Sequence, residues 1–528
     1  MTTTDTVNAP PGTFPTTDRV QAFDSNLILH GFPTTINGAG LELQATGATP
    51  HTITVGGTIG LNGISVAADA AHPVNAGAAF LIVGNGGTVN YNVVGTISAD
   101  ATAGGNALEI TNTGTGIISL SHSGAVSSAS GDGVRAVTSG TGSVTVVLTG
   151  GVTAATGTGV VIGGSGSNSL TNDTAQTITG MTGVSTLSGA TTITNRGTIE
   201  GTGGTAVQFG GVGNVLIMDG PSAALTGNAV GSGTDVLRFA GATGSTFDMG
   251  QIDTGFIEIQ KTDASTWTMT GTNTSTAPVL IVGGVLQAGA GAVFNPSARV
   301  TADATLDLNG TNQTIGSLAG GAAGVVTNGA AATVSVLTAG GDNTSTTFSG
   351  VIQDGAGTVG LTKAGTGTLT LSGANTYTGA TTISGGTLGL IGGGSIASSS
   401  EVNLAAAGAG FDISGTAAGA TITTLSGVAG STVALGAQTL TTISNGSTAY
   451  AGVIGGTGGL TKAGAGTLNL SAVNTYTGMT TITSGTLGLI GGGSIASSSE
   501  VNLAAAGAGF DISGTAAGAT ITTLGGVA

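Results

Sequence analysis

Cysteine is missing from all 528 residues, which excludes disulfides and thiolate chemistry and, in an exported protein, leaves stability to backbone pairing and packing alone. Aromatic residues make up only 3 % of the chain. A globular core of ordinary thickness leans on larger side chains, whereas a thin lumen can be filled by Val, Ile, Leu, Ala and Thr. Charged residues are also scarce, at 6 %, and the eight Lys and Arg are scattered singly. That leaves no basic footprint for nucleic acid and none for anionic membranes. The net charge of −16 is spread thinly over the whole length. No stretch approaches the ~20 apolar residues of a membrane helix; the best, 78–83, ends at Gly84. Proline is rare too, and the 102 glycines follow no G-X-Y triplet, which excludes collagen. A mean hydropathy of +0.41 argues against a charged disordered chain.

What the sequence has is repetition. Residues 361–388 read LTKAGTGTLTLSGANTYTGATTISGGTL, and 99 positions later 460–487 read LTKAGAGTLNLSAVNTYTGMTTITSGTL. The match continues without a gap to Ala429 and Ala528, and residues 386–425 and 485–524 are identical. A divergent third copy begins at Lys261, runs through Trp267 and ends in Gly284-Val285-Leu286. Lys261, Lys363 and Lys462 are the only lysines, and all hold one place in the repeat. A fixed period of this kind signals a repeat architecture.

The repeat reads as short strands. Leu369 and Leu371 alternate with Thr368 and Thr370, giving one apolar and one hydroxyl-bearing face. Thr381 and Ile383 share a face, as do Leu388 and Leu390. ANTYTG reads as a turn, with Asn375 and Gly379 able to take left-handed backbone angles. Such strands cannot bury both faces alone, but stacked on copies of themselves they share a continuous core. With roughly 20–30 residues per coil, about 20 coils stacked ~4.8 Å apart predict a rod on the order of 100 Å.

The strings TK-x-G-x-GTL-x-LS-x-x-NTYTG-x-TTI-x-x-GTL at 361–388 and 460–487 resemble the passenger-associated repeat of autotransporters, the type V secreted proteins of bacteria. Residues 306–318, LDLNGTNQTIGSL, resemble the spacer of that family. The resemblance covers about the second half of the chain and implies an all-β, right-handed parallel β-helix. It also implies an extracellular location at the bacterial cell surface, attached to or released from the outer membrane. The family's partner is a C-terminal translocator β-barrel, which is absent from this chain. An unfolded passenger crosses a pore, which suits the lack of cross-links.

Upstream, a shorter repeat occupies 51–260. The openings at Gly95, Gly124, Gly150 and Gly197 share a G-x-(I/V) or G-G-V pattern, each followed by an apolar run at 107–110, 133–137, 159–162 and 206–209. The second and third openings lie 26 residues apart, the length of one coil, with glycine at corners where side chains would clash. Residues 193–199, ITNRGTI, resemble adhesin and haemagglutinin coils. The expected organisation is therefore an N-terminal tail and cap over 1–50, adhesin-like coils over 51–260, and three tandem repeats over 261–528 starting near 261, 361 and 460, the last one truncated. The first twenty residues, with Pro10, Pro11 and Pro15, have neither the basic nor the apolar region of a secretory signal. The chain thus reads as a passenger fragment, or a matured passenger with a start Met added.

Sites for chemistry are few. No G-x-S-x-G string occurs. His30, His51, His72 and His122 are isolated and expected as solvent-exposed polar residues. Asp69, Asp100, Asp132, Asp173 and Asp219 are singletons, although stacking can join residues one coil apart, and carbohydrate-cleaving solenoids use paired carboxylates. Residues 231–237, GSGTDVL, resemble one unit of a calcium roll, against the plainer reading of a turn. Trp267 aligns with Leu369 and Leu468, so it is expected to fill the lumen; a sugar-stacking platform is the alternative. The three lysines are read as gatekeepers at strand ends, with ligand contact as the alternative. No catalytic, metal or cofactor site is predicted. The expected function is a non-enzymatic stalk or adhesin, with host or abiotic surface ligands or glycans as partners and C-terminal repeats that assist export. A β-helical polysaccharide-active enzyme, with acids converging around Asp219 and Asp253, and a self-associating surface-array protein are the alternatives.

Overall fold

The computed structural model describes residues 105–527 apart from 113, 114 and 292, together with seven strands between Thr4 and Ala99; of the side chains before residue 105, those of Tyr91 and Ile97 are described. Most of the expected tail and cap, and the side chains of His30, His51, His72, Asp69 and Asp100, lie outside the described residues. Every described element is a strand except the three-residue 3-10 turn Met249–Gln251. The fold is a parallel β-solenoid. The chain divides into two compact units, Met1–Ser265 and Thr266–Ala528.

In the first unit, three columns of strands stack in parallel. One runs from Ile118–Ser123 through Val144–Leu148, Asn168–Asn172, Thr191–Asn195 and Val215–Asp219 to Asp235–Ala240. Alternation decides which side chains face the lumen: each of its first four strands buries every second residue. Leu120, Val146, Leu170, Ile193, Leu216 and Leu237 therefore form an unbroken inner row. Burying each such side chain stabilises the fold by ~1.5–3 kcal/mol, and a slip of one residue would turn the whole row outward. The second column carries the G-x-(I/V) openings: Ile97, Val126, Val152 and Ile199 stack in one file, with Ile178 between the last two. Ile178 has no glycine two residues before it, so the sequence pattern passed over that coil. The third column stacks Leu108, Val134, Val160, Val184 and Val207.

Glycine recurs at the corners because successive coils meet there backbone to backbone. A Cβ on Gly150 would lie 1.9 Å from the Gly124 carbonyl oxygen, and one on Gly157 would lie 2.2 Å from that of Gly131. No side chain fits, so the 26-residue glycine spacing is a packing requirement.

The second unit also has three columns. Its longest sheet has ten strands, from Gln313–Ile315 to Gly509–Thr515. The first-copy strands Thr358–Lys363, Thr381–Ile383 and Val402–Leu404 belong to it. So do Thr467–Leu470 and Thr486–Gly491 of the second copy. Their first-copy counterparts, Thr368–Leu371 and Thr387–Gly392, belong to a different, six-stranded sheet. Lys462 and Ile482 lie in yet another sheet of six strands. Equivalent residues of the two copies thus occupy different faces of one solenoid.

Candidate functional site

The three lysines are buried. Lys363 sits in the inner row between Ala339 and Ile383 and is 1 % exposed. Its side chain is buried at its own corner, and Nζ donates to the carbonyl oxygens of Ala364 at 2.5 Å, Gly365 at 3.2 Å and Gly385 at 3.2 Å. Lys462 repeats the arrangement on its own face, donating to Ala463 and Gly464, each at 2.8 Å, and to Ser484 at 3.4 Å. Lys261 donates to the Asp263 carbonyl at 2.5 Å and to its carboxylate Oδ1 at 2.8 Å. Desolvation holds the Lys363 ammonium below its usual range, partly countered by the charge of Asp342, and it lowers Lys462 in the same way. The expectation of exposed gatekeepers is therefore corrected. A gatekeeper needs a charge in water, whereas these ammonium groups close a corner from inside by satisfying carbonyls that the coil-to-coil ladder leaves over.

The NTYTG string connects Thr368–Leu371 to Thr381–Ile383 outside any strand, but its conformation is not the left-handed one open to it. Neither Asn375 nor Gly379 takes a left-handed angle. Asn375 is buried; it accepts from the Ile352 amide at 2.8 Å and donates to the carbonyls of Gly373 at 2.9 Å and Ser395 at 3.0 Å. It therefore ties three successive coils together. Tyr377 lies inside the lumen, its hydroxyl 2.6 Å from Thr381 Oγ1. Thr381 in turn meets Ser399 Oγ at 2.9 Å, and the single Ser399 hydroxyl proton has the Gly379 and Glu401 carbonyls within reach, at 2.9 and 3.0 Å. The second copy reproduces the chain through Asn474, Tyr476, Thr480 and Ser498. Burial pushes the Tyr377 hydroxyl far up, against the opposing bond to Thr381, and pushes Tyr476 up to about 12. Composition and alternation gave no hint of this network. The usable signal was that NTYTG recurs unchanged 99 residues apart while its neighbours vary.

Trp267 is fully buried and pairs in register with Leu286, so it fills the lumen as expected and offers no sugar platform. In 231–237 the Asp235 side chain turns inward, accepting from the Asn214 amide at 3.0 Å, from Asn214 Nδ2 at 2.9 Å and from Ser232 Oγ at 2.9 Å. That is the turn reading, with the carboxylate spent on internal hydrogen bonds. His122, expected in solvent, is buried in the inner file, its Nδ1 3.4 Å from the Tyr91 hydroxyl. Asp219 pairs with Arg196 at 2.7 Å. Asp253 caps its own turn at Thr254, and Asp132 accepts from the Thr158 amide. Among the described residues, no group of three or more His, Asp or Glu side chains is placed to hold a metal ion. No helix among them is long and apolar enough to cross a membrane.

The model of the passenger-associated-transport-repeat matches residues 259–288, 361–390 and 460–489. An adhesin, the BmaC autotransporter of Brucella suis biovar 1 (strain 1330), is 32 % identical over 326 residues, which is 53 % of this chain and 9 % of that protein. The chain therefore aligns with under a tenth of its relative's length. No solved structure matches. The chain thus carries three passenger-associated transport repeats on a parallel β-solenoid and is similar over half its length to an autotransporter adhesin.

Proposed function

We propose that the chain is a stalk segment of an extracellular adhesin at the bacterial surface, its coils carrying adhesive regions away from the cell. The observation that carries this reading is the 326-residue likeness to an autotransporter adhesin. The structure supports it in a specific way: Asn375, Lys363 and Thr381 each bond to a neighbouring coil, which ties the stack together. The test is to fuse the chain to a translocator barrel on a non-adherent bacterium and count attachment to host cells and to glass. Attachment that rises with display supports the adhesin reading. Attachment unchanged, with display verified by surface labelling, would sink it.

The 361–528 repeats are assigned a second task under the same proposal, which is to fold first outside the membrane and so assist export through a C-terminal barrel. Removing 361–528 from the displayed protein should lower the surface-exposed fraction of the remaining passenger. The enzyme alternative is not favoured. Its candidate acids Asp219 and Asp253 have separate local partners, and the relative is named an adhesin.

A further inference from the structure

The sheet membership of the two repeat copies fixes how far around the solenoid one copy travels. Along the ten-stranded sheet, Thr358–Lys363 is followed by Thr381–Ile383, Val402–Leu404, Leu425–Gly427, Thr448–Tyr450 and Thr467–Leu470. The last of these lies five turns on. It is the counterpart of Thr368–Leu371, which follows the lysine strand by one face. A repeat of 99 residues is thus five turns less a third, and the second copy stands a third of a turn out of phase with the first. The phase shift leaves local packing unchanged. Lys363 and Lys462 each bind three carbonyls in the same way, and both Tyr-Thr-Ser chains have the same connections. The repeat's interior therefore packs in the same way from two different faces of the solenoid.

We propose that the 99-residue repeat is a phase-shifting module. Each copy lengthens the solenoid by a non-integral number of turns, so the identical outer surfaces of 386–425 and 485–524 look in directions a third of a turn apart. Copies can also be added without breaking the stack, because a coil contacts only the coils on either side of it. In-phase copies would line up identical residues along one side. Phase-shifted copies distribute them around the axis, so a partner recognising this surface is met from more than one direction. The inference concerns the architecture of the repeats and holds or fails independently of the adhesin reading.

Two experiments on the full chain test it. The chain has no cysteine, so Ser400→Cys and Ser499→Cys, at equivalent exposed positions, take spin labels cleanly. In-phase copies, five whole turns apart, would place the labels on one line, separated by an axial rise of ~24 Å. A third of a turn adds the width of the solenoid and brings the distance to on the order of 30 Å. A distribution centred on the axial value would overturn the phase shift. For the module, residues 386–484 are duplicated after Ser484, which joins equivalent positions. As the comparison, residues 340–438, whose ends are not equivalent, are inserted at the same point. The duplication should keep the β-sheet circular dichroism per residue and the cooperative melt, while the mismatched insert loses both or aggregates. Loss of structure in the duplication, or the same behaviour in both, would overturn the module.

Discussion

Replacing Lys363 by Met keeps a stem of similar length in the lumen and removes only the ammonium. Three backbone carbonyls, of Ala364, Gly365 and Gly385, then lose a donor. A buried polar group left unsatisfied costs ~1–3 kcal/mol. Part of that loss is offset because a desolvated charge no longer has to be kept inside. The expected net cost is about 2–4 kcal/mol, and it falls on the coils that touch the cradle, since solenoid stability is a sum over neighbouring units. A global melt would blur it, so the measurement is native-state hydrogen exchange. The Ala364 amide, bonded to Ala339, and the Ser384 amide, bonded to Lys363 O, should lose protection by roughly 30- to 1000-fold, at 1.4 kcal/mol per factor of ten. Lys462→Met should do the same to Ala463 and Thr483 and leave the first copy unchanged, with the double variant additive within ~0.5 kcal/mol. A loss of protection below about twofold at Ala364 and Ser384 would show that the carbonyls find other donors and that the cradle contributes nothing.

Amine-reactive labelling of the folded chain should stop at the N-terminal amine and reach Lys261, Lys363 and Lys462 only in denaturant; mass spectrometry of tryptic and denatured digests reads this directly. All four tyrosines are buried, and the hydroxyls of Tyr450 and Tyr476 are pushed up to about 12 by burial, against opposing hydrogen bonds from Ser431 and Thr480. A raised tyrosine pKa means that the unfolded chain ionises first, so stability falls as pH rises above 10. The lowered lysines act with the opposite sign, adding stability as pH approaches 10.5. Denaturant midpoints should therefore hold or rise slightly up to pH ~10 and then drop, with tyrosinate absorbance appearing together with unfolding; a phenolate band at pH 11 in folded protein would contradict the burial. The single tryptophan should emit at short wavelength and resist acrylamide, and Trp267→Ala should cost ~3–5 kcal/mol; quenching like that of free tryptophan would place it outside the lumen.

The sequence alone determined the fold class and the rows that fill its lumen. Alternation in strands such as Ile118–Ser123 and Thr368–Leu371, the 26-residue glycine corners and the 99-residue copy all report local chemistry, and local chemistry is what a repeat writes most plainly. The lysines stood out for the same reason, because they recur. Their direction did not follow, since a strand-end side chain of that length reaches either water or a carbonyl cradle, and the cradle exists only once the corner has folded and the next coil has brought its own carbonyl, 22 residues later. The network at Asn375 and Tyr377 was not legible, because Asn375 is held by Ile352 and Ser395 of neighbouring coils, and the Thr381 that meets Tyr377 is itself held by Ser399 of the next coil. The third-of-a-turn offset was out of reach for a different reason. Sequence counts residues along the chain, while phase depends on how many residues each corner takes up, and that is decided only when the coils close against one another.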